Sequence, residues 1–460
     1  MRLLLRMSLI LGGFMKEMYC GACSGERGCA ECGKTGCKKV YASLVDFSVK
    51  DMVRKESGEP KNNMGSGRGF LRELFLAADI GTTTLAFVCT NEQGQILASY
   101  GTENPQRKVS ADVIGRMDAA IHGARETLKN EIREALVKGF LFVLKEGFGR
   151  EGEELKTVQM PRIRIAIGGN TVMQHLLLGY PLEGMAKAPF RPYSLQQEER
   201  LFSELFSETG DFSRCPPELT SANVTVMPCF SAFLGGDAMA GAYGFLNSGT
   251  TNVPQADIMF YPESGVDNRV HTAVRLLLDL GTNAELLLKV NGKMYGTAAA
   301  MGSAFEGGRF AYASELFSLI AKARKQGALD ETGLLAEPYF SEGYWGLRQE
   351  DVRFFQLAKG ALRAGIELLT KRAGLTFSEI EQIYLAGGVG AFCEEGDLFT
   401  IGLLPEEFLG KVQFVGNSCI GGLIAFLQDG GSMEHRDCDV MNLAEEPEFE
   451  KEYYRYMDFR

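Results

Sequence analysis

Apolar residues in this chain gather in short unbroken runs, each closed by glycine and hydroxyl residues. Residues 74–89 read LFLAADIGTTTLAFVC, and residues 275–290 read RLLLDLGTNAELLLKV. Apolar runs of this length, bounded by turn residues, predict strands. Each string therefore predicts a β-hairpin whose turn carries an acid, a glycine and hydroxyl or amide side chains. A second element follows each hairpin. Residues 163–178 read IRIAIGGNTVMQHLLL and residues 382–393 read QIYLAGGVGAFC. Each predicts a buried strand, a Gly-Gly turn and a helix. Helical periodicity fills the intervals near 109–146 and 352–373.

The order of hairpin, helix, strand with Gly-Gly, helix thus occurs twice, which is the signature of an internal duplication. It predicts an α/β fold of two related lobes facing each other across a cleft. The polar, weakly patterned stretch near 192–220 sets the expected boundary, with lobe I at 71–220 and lobe II at 221–440. Ahead of them lie a cysteine-rich segment at 1–40 and a linker at 41–70, rich in Gly, Pro, Asn and Ser. An acidic tail at 441–460 is expected to be a solvated end or a docking surface.

Composition narrows the function. The 460 residues are 45% hydrophobic and 23% charged, ordinary values for a globular chain. The 48 basic and 59 acidic residues give a net charge of −11, the wrong balance for a nucleic-acid-binding surface. The apolar start, MRLLLRMSLILGGF, is too short to span a bilayer, which needs about 20 residues. It is read as an over-extended start ahead of Met15 or Met18, with a weak signal peptide as the alternative. No membrane partner is expected. Glycine is abundant, 55 residues or about 12% against an ordinary ~7%, and it clusters beside the apolar runs. Of eleven cysteines, five fall between Cys20 and Cys37. An odd total with one dense cluster argues against a secreted disulfide framework, and fits a reducing cytoplasm with a local metal site.

The turns suggest the chemistry. Glycine-rich turns expose backbone N–H groups that can nest an anion. Thr82, Thr83 and Thr84 add hydroxyls, and Asp79 and Asp279 add carboxylates able to hold Mg²⁺ directly or through water. The turn at Gly387 and Gly388 would let a base or ribose approach the backbone. Either hairpin alone reads as an ordinary turn; the matched pair points to a nucleotide cleft. Neither a P-loop nor a dinucleotide fingerprint is present.

The pattern resembles the acetate and sugar kinase, heat-shock chaperone and actin (ASKHA) superfamily of ATPases, with its ribonuclease H-like lobes. Asp79-Ile80-Gly81-Thr82-Thr83-Thr84 is similar to its first phosphate motif, and Asp279-Leu280-Gly281-Thr282-Asn283 to its second. Leu385-Ala386-Gly387-Gly388 is similar to its adenosine motif. Within the superfamily, further strings resemble the reductive activators of corrinoid proteins, the RACo-like family. These are GNTVM at 169–173, APF at 188–190, SAFLGGDAMAG at 231–241, AAAMGSAFEGG from Ala298 and QLAKGALRAGIELL from Gln356. The resemblance spans about residues 72–430.

It implies an ATP-dependent one-electron reduction that returns an inactive Co(II) corrinoid, carried by a partner protein of a methyltransferase system, to Co(I). Asp79 and Asp279 would serve Mg²⁺ and water. Gly81, Thr82, Thr83, Thr84, Gly281, Thr282 and Asn283 would serve phosphate, and Gly387, Gly388 and Gly390 adenosine. Glu306, in GSAFEGG, is a candidate for the nucleotide pocket. The spacing of Cys23, Cys29 and Cys32 matches three cluster ligands of the family's plant-like ferredoxin domain. The short segment lacks the rest of that domain. Cys20, Cys23, Cys29, Cys32 and Cys37 are therefore read as a compact knot for an iron–sulfur cluster, with zinc as the alternative. An external ferredoxin as electron donor and a homodimer are further expectations. His175 is read as a packed or capping side chain. Asp237 is a candidate for Mg²⁺ or for a helix cap. Cys89, Cys393 and Cys419 are read as small hydrophobes. The competing functions are activation of another low-potential metalloenzyme such as a 2-hydroxyacyl-CoA dehydratase, a small-molecule kinase, and a non-catalytic nucleotide-dependent metal chaperone or binding module.

Overall fold

The computed structural model describes residues 73–149, 161–247, 273–301, 313–342, 345–388, 393–431 and 437–459. The five clustered cysteines, the linker, Glu306 and Gly390 lie outside these residues. The described residues fall into two compact units. The first takes residues from 73 to 247 together with 417–431; the second takes 273–416 and 437–459.

In the first unit, β1 (Glu73–Ile80), β2 (Thr84–Asn91) and β3 (Ile96–Glu103) form an antiparallel meander. β4 (Arg162–Gly169) then lies parallel to β1, β6 (Asn223–Val226) lies parallel to β4, and β5 (Glu198–Leu201) closes the edge. The order is β3-β2-β1-β4-β6-β5. The second unit repeats the plan. β7 (Arg275–Leu280), β8 (Asn283–Val290) and β9 (Lys293–Ala300) form a meander, and β10 (Tyr339–Glu342) with β11 (Trp345–Arg348) makes a separate hairpin. β12 (Gln382–Ala386), β13 (Val412–Gly416) and β14 (Cys438–Met441) complete the sheet, in the order β13-β12-β7-β8-β9-β14. The duplication legible in the sequence is present in five strands, β3-β2-β1-β4-β6 matching β9-β8-β7-β12-β13, whereas β5 and β14 lie on opposite edges and are not counterparts.

The sheet of the first unit extends past the polar stretch at 192–220 to take in β6. The helix Ser418–Gln428 also returns to this unit.

The apolar runs of β1 are buried on both faces, as the central strand of such a sheet must be. Leu74, Leu76, Ala78 and Ile80 face the helix Arg125–Gly149, joining Leu128, Ile132, Leu136 and Phe140. Phe75 and Ala77 face the other way, onto Ile420, Leu423, Ile424 and Leu427 of the helix Ser418–Gln428. The helical pattern at 109–146 is realised from Val113 to Gly149, interrupted where His122 and Gly123 leave helical geometry. Gly123 has φ 110°, a value that costs glycine little.

The tail differs from its expected solvated state. The helix Phe449–Met457 packs on the helix Gln349–Arg372, burying Phe449, Tyr453 and, beyond it, Phe459. Phe449 and Tyr453 are four residues apart and share one helix face. Polar contacts accompany it: the Tyr456 hydroxyl donates to Glu367 at 2.7 Å, and Lys371 pairs with Glu367, Glu448 and Glu452. The tail's Phe449 and Tyr453 thus form part of a buried stripe at helical spacing. Among the described residues, no helix is long and apolar enough to cross a membrane.

Candidate functional site

The two acid-bearing turns are built at equivalent places. Asp79 lies next to last in β1, opposite Ala86 of β2 and beside Gly168 of β4. Asp279 lies next to last in β7, opposite Glu285 of β8 and beside Ala386 of β12. Both carboxylates are half-buried. The turns themselves differ in length. Residues 81–84 separate the paired Ile80 and Leu85, whereas residues 281–283 separate the paired Leu280 and Ala284.

In the first unit every carbonyl of Gly81-Thr82-Thr83 is held from one side. The Asn104 side chain donates to Gly81 O at 2.8 Å, the Arg116 guanidinium to Thr82 O at 2.6 Å, and the Asn104 backbone N–H to Thr83 O at 2.9 Å. Asn170 donates from its side-chain amide to the Thr82 hydroxyl at 3.2 Å while capping the helix Thr171–Leu178 through Met173 N–H at 3.0 Å. Thr82 and Thr83 are buried; Gly81 and Thr84 are half-buried. Asn417 caps the helix Ser418–Gln428 with its side-chain oxygen, and its Nδ2 donates to Asp79 Oδ2 at 2.8 Å. The string at 231–241 packs against this end of the sheet. Gly235 lies so close to Asn170 that any Cβ would overlap it, and Thr171 donates to Ser231 O at 2.6 Å.

The second unit uses backbone for the same task. Gly281 N–H bonds Asn283 O at 2.9 Å, and Met301 N–H bonds Thr282 O at 3.3 Å. Met301 follows β9 as Asn104 follows β3, so the two amides are counterparts. Gly387 has φ 88°, donates to Gly416 O at 2.8 Å, and would overlap the backbone of Leu280 if it carried a Cβ. A Cβ on Gly388 would meet open space. This turn is therefore pressed directly onto Leu280, the last residue of the strand that carries Asp279.

The two Gly-Gly turns do not correspond residue for residue. Gly168 sits beside Asp79, but it is Ala386 that sits beside Asp279. Register therefore matches Gly169 with Gly387 and Asn170 with Gly388. Only Gly387 adopts the left-handed region; Gly169 lies extended at the end of β4.

The remaining sequence candidates fall as follows. His175 is buried, with Nδ1–H donating to Thr171 O at 2.7 Å, and burial lowers its pKa, so it is a packed neutral side chain. Asp237 accepts from Ala238 N–H at 2.8 Å in the first turn of the short helix Gly236–Gly241. Cys89 and Cys419 are buried and Cys393 packs at the edge of the second core; burial pushes the Cys89 and Cys393 thiols up to about 12. Among the described residues, no group of three or more metal-binding side chains comes together.

Sequence reading missed Asn104, Arg116, Asn170 and Asn417 as site residues. Arg116 carried one signal: an arginine inside a helical pattern, four residues before the buried Ala120, stands where an apolar residue is expected. Burial lowers its pKa to about 10, which still leaves it charged near neutrality.

Comparison with known proteins gives a consistent result. The model described as the RACo middle region matches residues 74–245. The model described as the C-terminal domain of RACo, the ASKHA domain, matches residues 273–315 and 322–460. The corrinoid activation enzyme RamQ of Eubacterium limosum is 24% identical over 82% of this chain and 69% of its own length. The [Co(II) methylated amine-specific corrinoid protein] reductase of Methanosarcina barkeri is 22% identical over 75% of this chain and 68% of its own. A solved structure titled reductive activator for corrinoid, iron–sulfur protein superposes with a TM-score of 0.63 at 22% identity, covering 85% of this chain and 67% of that one, and so shares the fold. With the two RACo models matching most of its length, the chain belongs to the RACo family of reductive activators of corrinoid proteins.

Proposed function

We propose that this protein is an ATP-dependent reductive activator that returns the Co(II) corrinoid of a methyltransferase partner to the methyl-accepting Co(I) state. The observation that carries the reading is the duplicated acid-bearing hairpin, present in both units of a chain whose relatives are named for corrinoid activation and reduction.

Asp79 and Asp279 are assigned to Mg²⁺ and the attacking water; the half-buried carboxylates at the strand ends fit that hard cation. Gly81, Thr82, Thr83, Thr84, Gly281, Thr282 and Asn283 are assigned to the phosphates, and Gly387 and Gly388 to adenosine. Glu306 and Gly390 are kept as further contacts of the nucleotide. A one-electron couple moves tenfold in equilibrium constant per about 59 mV. A ten-thousandfold shift takes about 5.5 kcal/mol, which differential binding of the two cobalt states can supply. ATP then serves to switch the activator between states that prefer Co(II) and Co(I) partner.

Cys20, Cys23, Cys29, Cys32 and Cys37 supply five soft thiolate donors, a set suited to an iron–sulfur cluster or zinc. An iron–sulfur cluster there would accept the electron; with zinc, an external ferredoxin would deliver it to the corrinoid. A cytoplasmic setting and a homodimer belong to the same reading.

The test is anaerobic. The full chain, Mg·ATP, a low-potential reductant and a Co(II) corrinoid protein are mixed, and Co(I) is followed by absorbance. ATP-dependent Co(I) formation is expected. Co(I) formation at the same rate without ATP overturns the coupling, and none with any corrinoid partner overturns the function.

A further inference from the structure

The first phosphate turn has a feature that the motif alone does not contain. Arg116 is wholly buried directly behind it. Its guanidinium ends on Thr82 O at 2.6 Å, Ser110 O at 3.0 Å and Met173 Sδ at 3.3 Å. All three acceptors are neutral. The nearest acid in sequence, Asp112, accepts from Gly115 N–H at 2.8 Å as a helix cap. Asp112 and Glu131 favour the guanidinium charge from a distance and Arg107 opposes it. A buried cation with only neutral acceptors is costly, and such charges are ordinarily paired.

The same contacts fix the orientation of the turn. The carbonyls of Gly81, Thr82 and Thr83 all point to the side of Arg116 and Asn104. A trans peptide sets its N–H opposite its C=O. The N–H groups of Thr82, Thr83 and Thr84 are therefore turned to the other face of the turn. An anion on that face would meet these dipoles, with a full positive charge one peptide unit behind them.

We propose that Arg116 is a positioning residue for the polyphosphate of the nucleotide: through the Thr82–Thr83 peptide it orients the turn and supplies a positive charge, hydrogen-bonded only to neutral acceptors, that a phosphate on the opposite face attracts. This rests on the nucleotide reading above and deepens it. It makes affinity at this turn depend on ligand charge, because the interaction crosses a buried, weakly screened path.

The experiment uses the full chain and calorimetric titration with ATP, ADP, AMP, pyrophosphate and adenosine. Three proteins are compared: wild type, Arg116→Gln and Arg116→Lys. Arg116→Gln keeps an amide that can donate to Thr82 O but removes the charge. It is expected to weaken ATP and pyrophosphate on the order of tenfold to a hundredfold, ADP less, AMP less again, and adenosine by under about twofold. Arg116→Lys keeps the charge and loses the fork; ATP affinity within about threefold of wild type is expected. Unchanged ATP affinity in Arg116→Gln overturns the proposal, as does a loss that is equal for ATP and adenosine. If Arg116→Gln does not fold, the Lys variant decides: an ATP loss of about tenfold or more in folded Arg116→Lys assigns the effect to hydrogen-bond support rather than charge. A wild-type chain that binds no nucleotide defeats the functional reading, whereas equal binding by wild type and Arg116→Gln defeats only this inference.

Discussion

The two hairpins share strand order, the position of the acid and the amide that follows the third strand, yet they are stabilised differently. In the first unit, side chains from three other places in the chain, Asn104, Arg116 and Asn170, hold the turn, and Asn417 holds the acid. In the second, Thr282 is held by the backbone of Met301, and Gly387 is packed without a side chain onto Leu280. The first turn is one residue longer and carries an additional hydroxyl. One topology is thus held by amide and guanidinium side chains in the first unit and, around Thr282 and Gly387, by backbone contacts in the second.

The largest expected effect asks whether both acids matter. Asp79→Asn and Asp279→Asn should each lower partner-stimulated ATP hydrolysis on the order of a hundredfold or more with the fold retained. Hydrolysis within about threefold of wild type in either variant would remove that hairpin from the chemistry.

The next effect separates the two glycines of the second Gly-Gly turn. Gly387→Ala forces a left-handed alanine against Leu280 and should cost about 2–4 kcal/mol in the second unit. Gly388→Ala, facing open space, should cost within about 0.5 kcal/mol. Denaturant unfolding of the two variants checks this, and equal effects would deny the close packing of Gly387 on Leu280.

A smaller effect isolates Asn417. Asn417→Ser can keep the helix cap but withdraws the donor from Asp79 Oδ2. Hydrolysis should fall about fivefold with little change in melting temperature, whereas Asn417→Ala should also lose about 1 kcal/mol of stability. No change in hydrolysis for the Ser variant would make Asn417 a cap alone.

A pH-dependent effect compares the buried cation of each unit. Arg116 remains charged near neutrality. Lys359 is buried in the second unit, its Nζ donating to Asp458 O at 2.6 Å and lying 4.3 Å from the centre of the Phe459 ring. Burial, with Arg363 nearby, lowers its pKa to about 7, and these contacts do not offset that. Above about pH 7 the folded chain has released a proton that the unfolded chain keeps until about pH 10. Stability should therefore rise with pH through that window, by at most about 1.4 kcal/mol per pH unit. Urea unfolding at pH 7 and pH 9 should show the rise in wild type and a flatter profile in Lys359→Met. Stability that falls over this range would contradict the assignment.

Much of this was legible in the sequence, and the limits are instructive. The hairpins could be read because an apolar run, an acid and a Gly-Thr pair are contiguous. The strand ahead of each Gly-Gly could be read for the same reason. The register of those glycines could not, since it is set by pairing with β1 and β7, which a one-dimensional string does not encode. Asn104, Arg116, Asn170 and Asn417 were invisible as a group. They lie far apart in the chain, and each acts through a carbonyl, a hydroxyl or a carboxylate supplied by the turn. The tail was misread because its many acids obscured Phe449 and Tyr453, whose spacing of four makes a buried stripe once the segment is helical.

The helix Ser418–Gln428 covers the face of the first sheet that carries Phe75, Ala77, Ala86 and Val88. It is made by the ribosome only after β7 to β13. The first sheet therefore leaves the exit tunnel with this apolar face partly uncovered beside the short helix Gly236–Gly241, and stays so while most of the second unit is synthesised. During those seconds the nascent chain presents a surface suited to holding by chaperones, or to adhesion between neighbouring chains. A messenger truncated before the codon for Asn417 would encode every strand of that sheet and still yield a sticky product.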